Sequence, residues 1–303
     1  MPDEIADAFT TLAAALRPDA VEVDETRFLR GDAGAALLRS DRVRRLADTG
    51  SFAHGTAVAG ASRWDVLVVL RGARPRTPAR SLDALQAALV EGVGAGGEPA
   101  RALASFAPRV ENADSVVVER PGTAGLQLRP AYEVAGSAGG QDVDGAALWV
   151  ADAAHRWVQH LPEARELLLS RVDDGGALRD LIRLLLAWKH THGVAVSSYY
   201  LETVALRQSL QQRSFSLLWD VCWVWERLSS DGLRPLPDLT SPSGVQLVRA
   251  TASLGRSLEA QFPVERAASS ARGAVNAYLD GDSGTARRYL TAVFGAAFPA
   301  PEL

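Results

Sequence analysis

The chain has 303 residues, 47% of them hydrophobic and 22% charged, enough apolar side chain to bury a core in one large domain or two lobes, which excludes wholesale disorder. Its net charge of −4 offers no general attraction to nucleic acid or anionic membrane, so phosphate binding has to come from a local patch. No apolar run nears the ~20 residues of a membrane helix, and Cys222, the single cysteine, excludes an intrachain disulfide and predicts a reducing, cytoplasmic setting.

The acidic opening, MPDEIADAF, is the opposite of a secretory signal. Residues 3–16 and roughly 25–48 predict helices, the second from Leu37, Leu38, Val43 and Leu46 at three-to-four spacing, with Gly50 as its stop. DVLVVL (65–70) is apolar and β-branched and predicts a buried strand. The loop RGARPRTPARS follows, its arginines 71, 74, 76 and 80 expected in solvent, then a helix over 81–91 that ends at GVGAGGEP. SVVVE (115–119) and LQLRPAYEV (126–134), joined by RPGTAG, predict a hairpin. GSAGGQDVDG (136–145) predicts a flexible loop, and from about 151 the pattern is helical almost to the end. The expectation is an α+β fold: residues 1–150 form a small mixed sheet with N-terminal helices, and 151–303 form an all-helical lobe.

GSFAHGTAVAGASRWDVLVVL (50–70) carries the chemistry. A Gly-Ser turn at Gly50-Ser51 offers backbone N–H groups and a hydroxyl to a triphosphate. An acid–x–acid pair at the start of the following strand would share one face. With a third acid on a neighbouring strand, it would hold two Mg²⁺ ions for nucleotide transfer. Asp65 is the acid present here.

Gly50-Ser51, then Gly55-Thr56, GAS and an acidic strand resemble the nucleotidyltransferases of the CD-NTase family, the bacterial relatives of cyclic GMP-AMP synthase. LRPA (128–131) is similar to the end of the family's third-acid strand. LIRLLLAWKHTHGVAVSSYYLETVAL (181–206) is similar to its central helix-turn-helix, with Ser198-Tyr199 at the Ser-Tyr position, and AVFGAAFP (292–299) to its closing segment. The resemblance implies a polymerase-beta-like nucleotidyltransferase core with a C-terminal helical lobe. It also implies an enzyme that joins nucleotides into cyclic or linear signals for effectors in antiviral (CBASS-type) defence, with Mg²⁺ as cofactor. Gly50, Ser51, Ser198 and Tyr199 then become substrate-binding residues.

The sequence departs from that pattern where the chemistry sits. Arg63 stands at the first-acid position, Gln127 at the third, and Leu186 where a triphosphate-binding lysine is expected. Mg²⁺ dehydrates reluctantly and relies on anionic oxygens, so Asp65 alone beside a permanent cation predicts an inactive member that acts by binding a nucleoside triphosphate or a protein partner. Two alternatives stay open. In one, Glu119, opposite Gln127 if the hairpin is symmetric about Thr123, rebuilds a metal site with Asp65; Glu133 and Asp142–Asp144 are weaker substitutes. In the other, the chain is a regulatory subunit of an active synthase, pairing with an active paralogue or an effector. Arg63 is itself a candidate ligand for triphosphate, in the metal's place.

Each of these signals has a plainer explanation. Ser198-Tyr199 also fits a capped helix start, and Gly50-Ser51 a helix C-cap. His190 and His192 suit a helix end. The tryptophans of LLWDVCWVWERL (217–228) suit a packed helix, and turn chemistry accounts for Asp238.

Overall fold

The computed structural model describes residues 3–94, 108–111, 114–121, 123–136, 146–173, 175–211 and 215–299. Two compact units are present: residues 18–168 with 237–246, and residues 1–17 with 169–236 and 247–303. The fold is α+β, with a mixed sheet in the first unit and helices making up most of the second.

In the first unit, α2 (Ala20–Leu37), capped by the Asp19 side chain on the Glu22 N–H, leads into β1 (Val43–Thr49), the short α3 (Gly50–Ala53) and β2 (Trp64–Leu70). The helix expected over 25–48 therefore ends at Leu37, and Val43–Thr49 is a strand. Val43 and Leu46 fit helical spacing by coincidence; antiparallel pairing with the apolar β2, Leu46 against Val68 and Thr49 against Asp65, decides the conformation. Gly50 follows a strand rather than stopping a helix.

After a 3₁₀ turn at Pro78–Ser81 and α4 (Leu82–Gly94) come β3 (Arg109–Glu111), β4 (Ser115–Val118) and β5 (Leu126–Glu133). The strands lie in the order β1-β2-β5-β4-β3, with β2 and β5 parallel and the other neighbours antiparallel. Beyond Leu128, β5 leaves β4 and at Tyr132 pairs instead with β6 (Leu148–Ala151), which continues into β7 (Trp157–His160). Pro130 falls between these two partners, where its missing N–H costs the ladder little. Residues 148–160 form this hairpin rather than the expected start of a helical lobe, because Asp152 turns the chain by accepting the N–H groups of Ala154 and Arg156. The expected loop at 137–145, with Asp142–Asp144, lies outside the described residues.

Side-chain alternation gives the sheet two faces. Val66, Val68, Leu70, Val116, Val118, Leu126 and Leu128 pack beneath α2 and α4. The opposite face carries Asp65, Leu67 and Val69 with Gln127, Arg129 and Ala131. Leu67, Val69 and Ala131 form a small second core there with Leu148, so the end of that face bearing Asp65 is left for polar groups. The arginine-rich loop is not simply solvated: Arg74 lies over Trp149 at 4.3 Å, and Arg71 Nε donates to the Val43 carbonyl.

In the second unit, α1 (Asp3–Ala15) groups with α6 (Ala177–Thr191), α7 (Ser198–Ser209), α8 (Leu217–Asp231), α9 (Leu254–Leu279) and α10 (Ser283–Phe294), while α5 (Ala164–Val172) precedes them in the chain. The first helix thus joins the C-terminal helices, and the sheet unit runs past residue 150. Trp188 and Trp225 meet in the core at 4.2 Å, whereas Trp223 is exposed. Leu186 is buried there as an ordinary core residue. No helix among the described residues is long and apolar enough to cross a membrane.

Candidate functional site

The turn after β1 is fixed by its first residue. Gly50 has φ +72°, and a Cβ there would stand 2.2 Å from Asp65 Oδ2, so only glycine permits both the left-handed backbone and the carboxylate's approach. Ser51 is buried, and its carbonyl accepts the Thr56 N–H at 2.8 Å. Phe52 stacks on Trp64 at 5.3 Å, and Trp64 Nε1 donates to Asp48, itself gripped by Arg30. The turn is thereby seated on the start of β2.

Asp65 pairs across the sheet with Gln127. Arg129 places Nε 3.8 Å from Asp65 Oδ1. Gln127 donates through Nε2 to Ser115 Oγ at 3.2 Å, so its amide is committed to β4.

Arg63 reaches across the same face to the far edge of the sheet. Nη1 donates to both oxygens of Glu111 at 3.0 Å, and Nη2 donates to Glu119 Oε1 at 2.8 Å. Arg109 Nη2 donates to that same Glu119 oxygen at 2.7 Å, and its Nη1 lies 3.2 Å from Glu111. Burial alone would lower the Arg63 pKa, but the hydrogen bond and charge of Glu111, then of Glu119, outweigh it and hold it above the ordinary value. The bidentate phosphate grip expected of Arg63 would therefore require a carboxylate to leave.

The hairpin register corrects the expected place of Glu119. Val117, not Glu119, lies opposite Gln127. The turn is centred one residue earlier than Thr123, which shifts the pairing by two and keeps Glu119 on the same face. It stands there within reach of two guanidinium groups, which hold its carboxyl below the usual range, Arg109 first. Glu133 is likewise taken, by Arg44 and Arg45.

These residues do not fit a two-metal site. One carboxylate near an arginine, an amide donating its hydrogen and a guanidinium braced by two glutamates supply no cage of anionic oxygens. Among the described residues no three His, Cys, Asp or Glu side chains stand together as a metal site.

Behind the turn lies a polar cluster that composition and spacing give no sign of. His160 faces Thr49 Oγ1 at 3.3 Å; Arg165 is fully buried 3.7 Å from Asp238, which also accepts from Thr240 and Gln246. Burial pushes the His160 imidazole down to about 4, helped by His54 and only partly opposed by Asp238. The folded chain keeps this ring neutral while the unfolded chain takes up a proton below about pH 6.5. Stability is expected to fall by on the order of 1–2 kcal/mol between pH 7 and 5 from this group. Urea unfolding at both pH values checks it: His160→Gln should flatten the difference, and an unchanged difference would remove His160 as its source.

In the second unit, the Ser197 side chain caps α7 at the Tyr200 N–H, Ser198 Oγ accepts from Lys189 Nζ at 2.7 Å, and Tyr199 is half-buried. Lys189 is the only lysine of the chain and sits three residues beyond Leu186. His192 is bonded to the Val293 carbonyl at a helix end.

The sheet, its crossing helices and the glycine turn abutting Asp65 define a nucleotidyltransferase fold. More particularly, it is the fold of the CD-NTases. The chain is similar to E. coli MS115-1 CdnC with ATP (16% identity over 97% of this chain and 98% of that one, TM-score 0.72). It is also similar to the Bradyrhizobium diazoefficiens CD-NTase CdnG in complex with GTP (14%, 97% and 96%, TM-score 0.65). Vibrio cholerae DncV cyclic AMP-GMP synthase, in complex with nonhydrolyzable GTP, shares the fold at greater distance (14%, 98% and 86%, TM-score 0.55). No family model matches the sequence, and no curated protein is similar to it by sequence.

Proposed function

We propose that this chain is a CD-NTase-like protein that keeps the nucleotidyltransferase fold without two-metal polymerisation. In this reading it serves CBASS-type antiviral defence in the cytoplasm by holding a nucleoside triphosphate or a protein partner. One observation carries the reading: Arg63, at the first-acid position, spans the sheet face to Glu111 and Glu119. Glu119, the carboxylate offered for a rebuilt metal site, is thereby spent on guanidinium groups. A working enzyme built on Asp65 and Glu119 would first have to strip Glu119 from two arginines, with Asp65 left near a third.

The neighbours support the ligand class. CdnC and CdnG are seen with ATP and GTP, and CdnC also in a complex with HORMA-deltaN. On this chain the residues offered to a triphosphate are Gly50 and Ser51 of the turn, with Ser198 and Tyr199 proposed through the resemblance. Titration of the protein with ATP and GTP tests it. Binding is expected to survive EDTA undiminished, because no metal takes part; loss of binding on chelation would contradict the reading.

A further inference from the structure

The Arg63–Arg109 network is asymmetric in a way that points to a ligand. Glu111 is the inner carboxylate, with 27% of its side chain exposed, held by both oxygens on Arg63 Nη1. Glu119 is the outer one, 51% exposed, bound through a single oxygen shared by two guanidinium groups. Exposed ion pairs contribute little to stability, so of the two carboxylates the outer one is the member that a more highly charged anion can replace. It borders an open groove of about 560 Å³, lined by Gly60, Ala61, Arg63, Arg120 and Thr123 among others, so an incoming group has room and a further arginine beside it.

We propose that Arg63 and Arg109 form a clamp for a phosphoryl group, and that Glu119 is its resident internal occupant, an autoinhibitory contact that the ligand displaces. Two guanidinium groups that converge on one carboxylate oxygen stand close enough together to share the several oxygens of a single phosphoryl group, which offers each of them charge-assisted hydrogen bonds. A phosphate dianion carries more charge and more acceptor oxygens than the carboxylate it replaces. Glu111 stays in place and keeps Arg63 extended across the sheet. The proposal rests on the reading above only for its ligand class.

Calorimetric titration with pyrophosphate and with ATP, in EDTA and low salt, tests it on the parent and on Glu119→Gln. That variant keeps shape, lies on the surface and removes the competing charge. Glu119→Gln is expected to bind pyrophosphate at least tenfold more tightly than the parent, and adding Arg109→Gln should abolish the gain. Affinities within twofold of each other would overturn the clamp, as would a gain that survives Arg109→Gln. The two readings fail separately. If ATP binds the parent without metal while Glu119→Gln changes nothing, nucleotide binding stands and the clamp falls. If ATP fails to bind the parent or the variant, yet pyrophosphate shows the gain, the clamp stands and the nucleotide reading falls.

Discussion

Replacing Arg63 and Gln127 together by aspartate is expected to give a protein that binds divalent metal more tightly than the parent. Arg63, Asp65 and Gln127 share one end of one sheet face, and Asp65 and Gln127 are direct partners across parallel strands. Arg63→Asp removes the guanidinium from that end and leaves Glu119 to Arg109 alone; Gln127→Asp breaks only the bond to Ser115. Without metal, the crowded carboxylates repel one another and the double variant should be less stable than the parent. With Mg²⁺ or Mn²⁺ at about one hundred times its dissociation constant, it should recover about 2.7 kcal/mol by mass action. Thermal unfolding with metal and with EDTA reads this directly, and Mn²⁺ resonance counts the bound ions. Indifference of the double variant to metal would mean that Arg63 and Gln127 are not what keeps the site from holding one.

Gly50→Ala is the substitution with the largest expected effect on the turn. A non-glycine residue at φ +72° costs about 1–2 kcal/mol. The new methyl would also land 2.2 Å from Asp65 Oδ2, so the carboxylate or the turn must move, for a total of roughly 3–4 kcal/mol. Gly60→Ala provides the comparison: its φ is +63°, yet nothing lies within 4 Å of the added carbon. It should show the backbone cost alone. Urea unfolding of both variants separates the two contributions, and equal losses would show that contact with Asp65 does not constrain the turn.

Much of this was legible in the sequence where the physics is local. The unbroken apolar run of DVLVVL marks β2, and two apolar runs joined by RPGTAG mark the β4–β5 pair. Val43–Thr49 was not legible, because its alternation is blurred by Arg44, Arg45 and Asp48, whose partners Glu133 and Arg30 lie far off in sequence. The hairpin around Asp152 was hidden for a similar reason, since one carboxylate's hydrogen bonds to the backbone turn a segment whose apolar residues fit a helix.

At the site, Asp65, Arg63 and Gln127 could be singled out from the motif, but not where the Arg63 charge goes. Arg109 and Glu111 stand on a three-residue strand too short to leave a periodic signal. Arg129, within LRPA, carries no signal of its own in the sequence. The network is a tertiary product of a register that the turn sets one residue away from its apparent centre.

This sheet face, crossed by Arg63, is expected not to support metal-dependent nucleotide joining. Incubating the purified chain with labelled ATP and GTP in Mg²⁺ or Mn²⁺, and resolving the products by chromatography, tests it most directly. The expected chromatogram contains the input nucleotides and no oligonucleotide. A cyclic or linear product that disappears in Asp65→Asn would contradict the account.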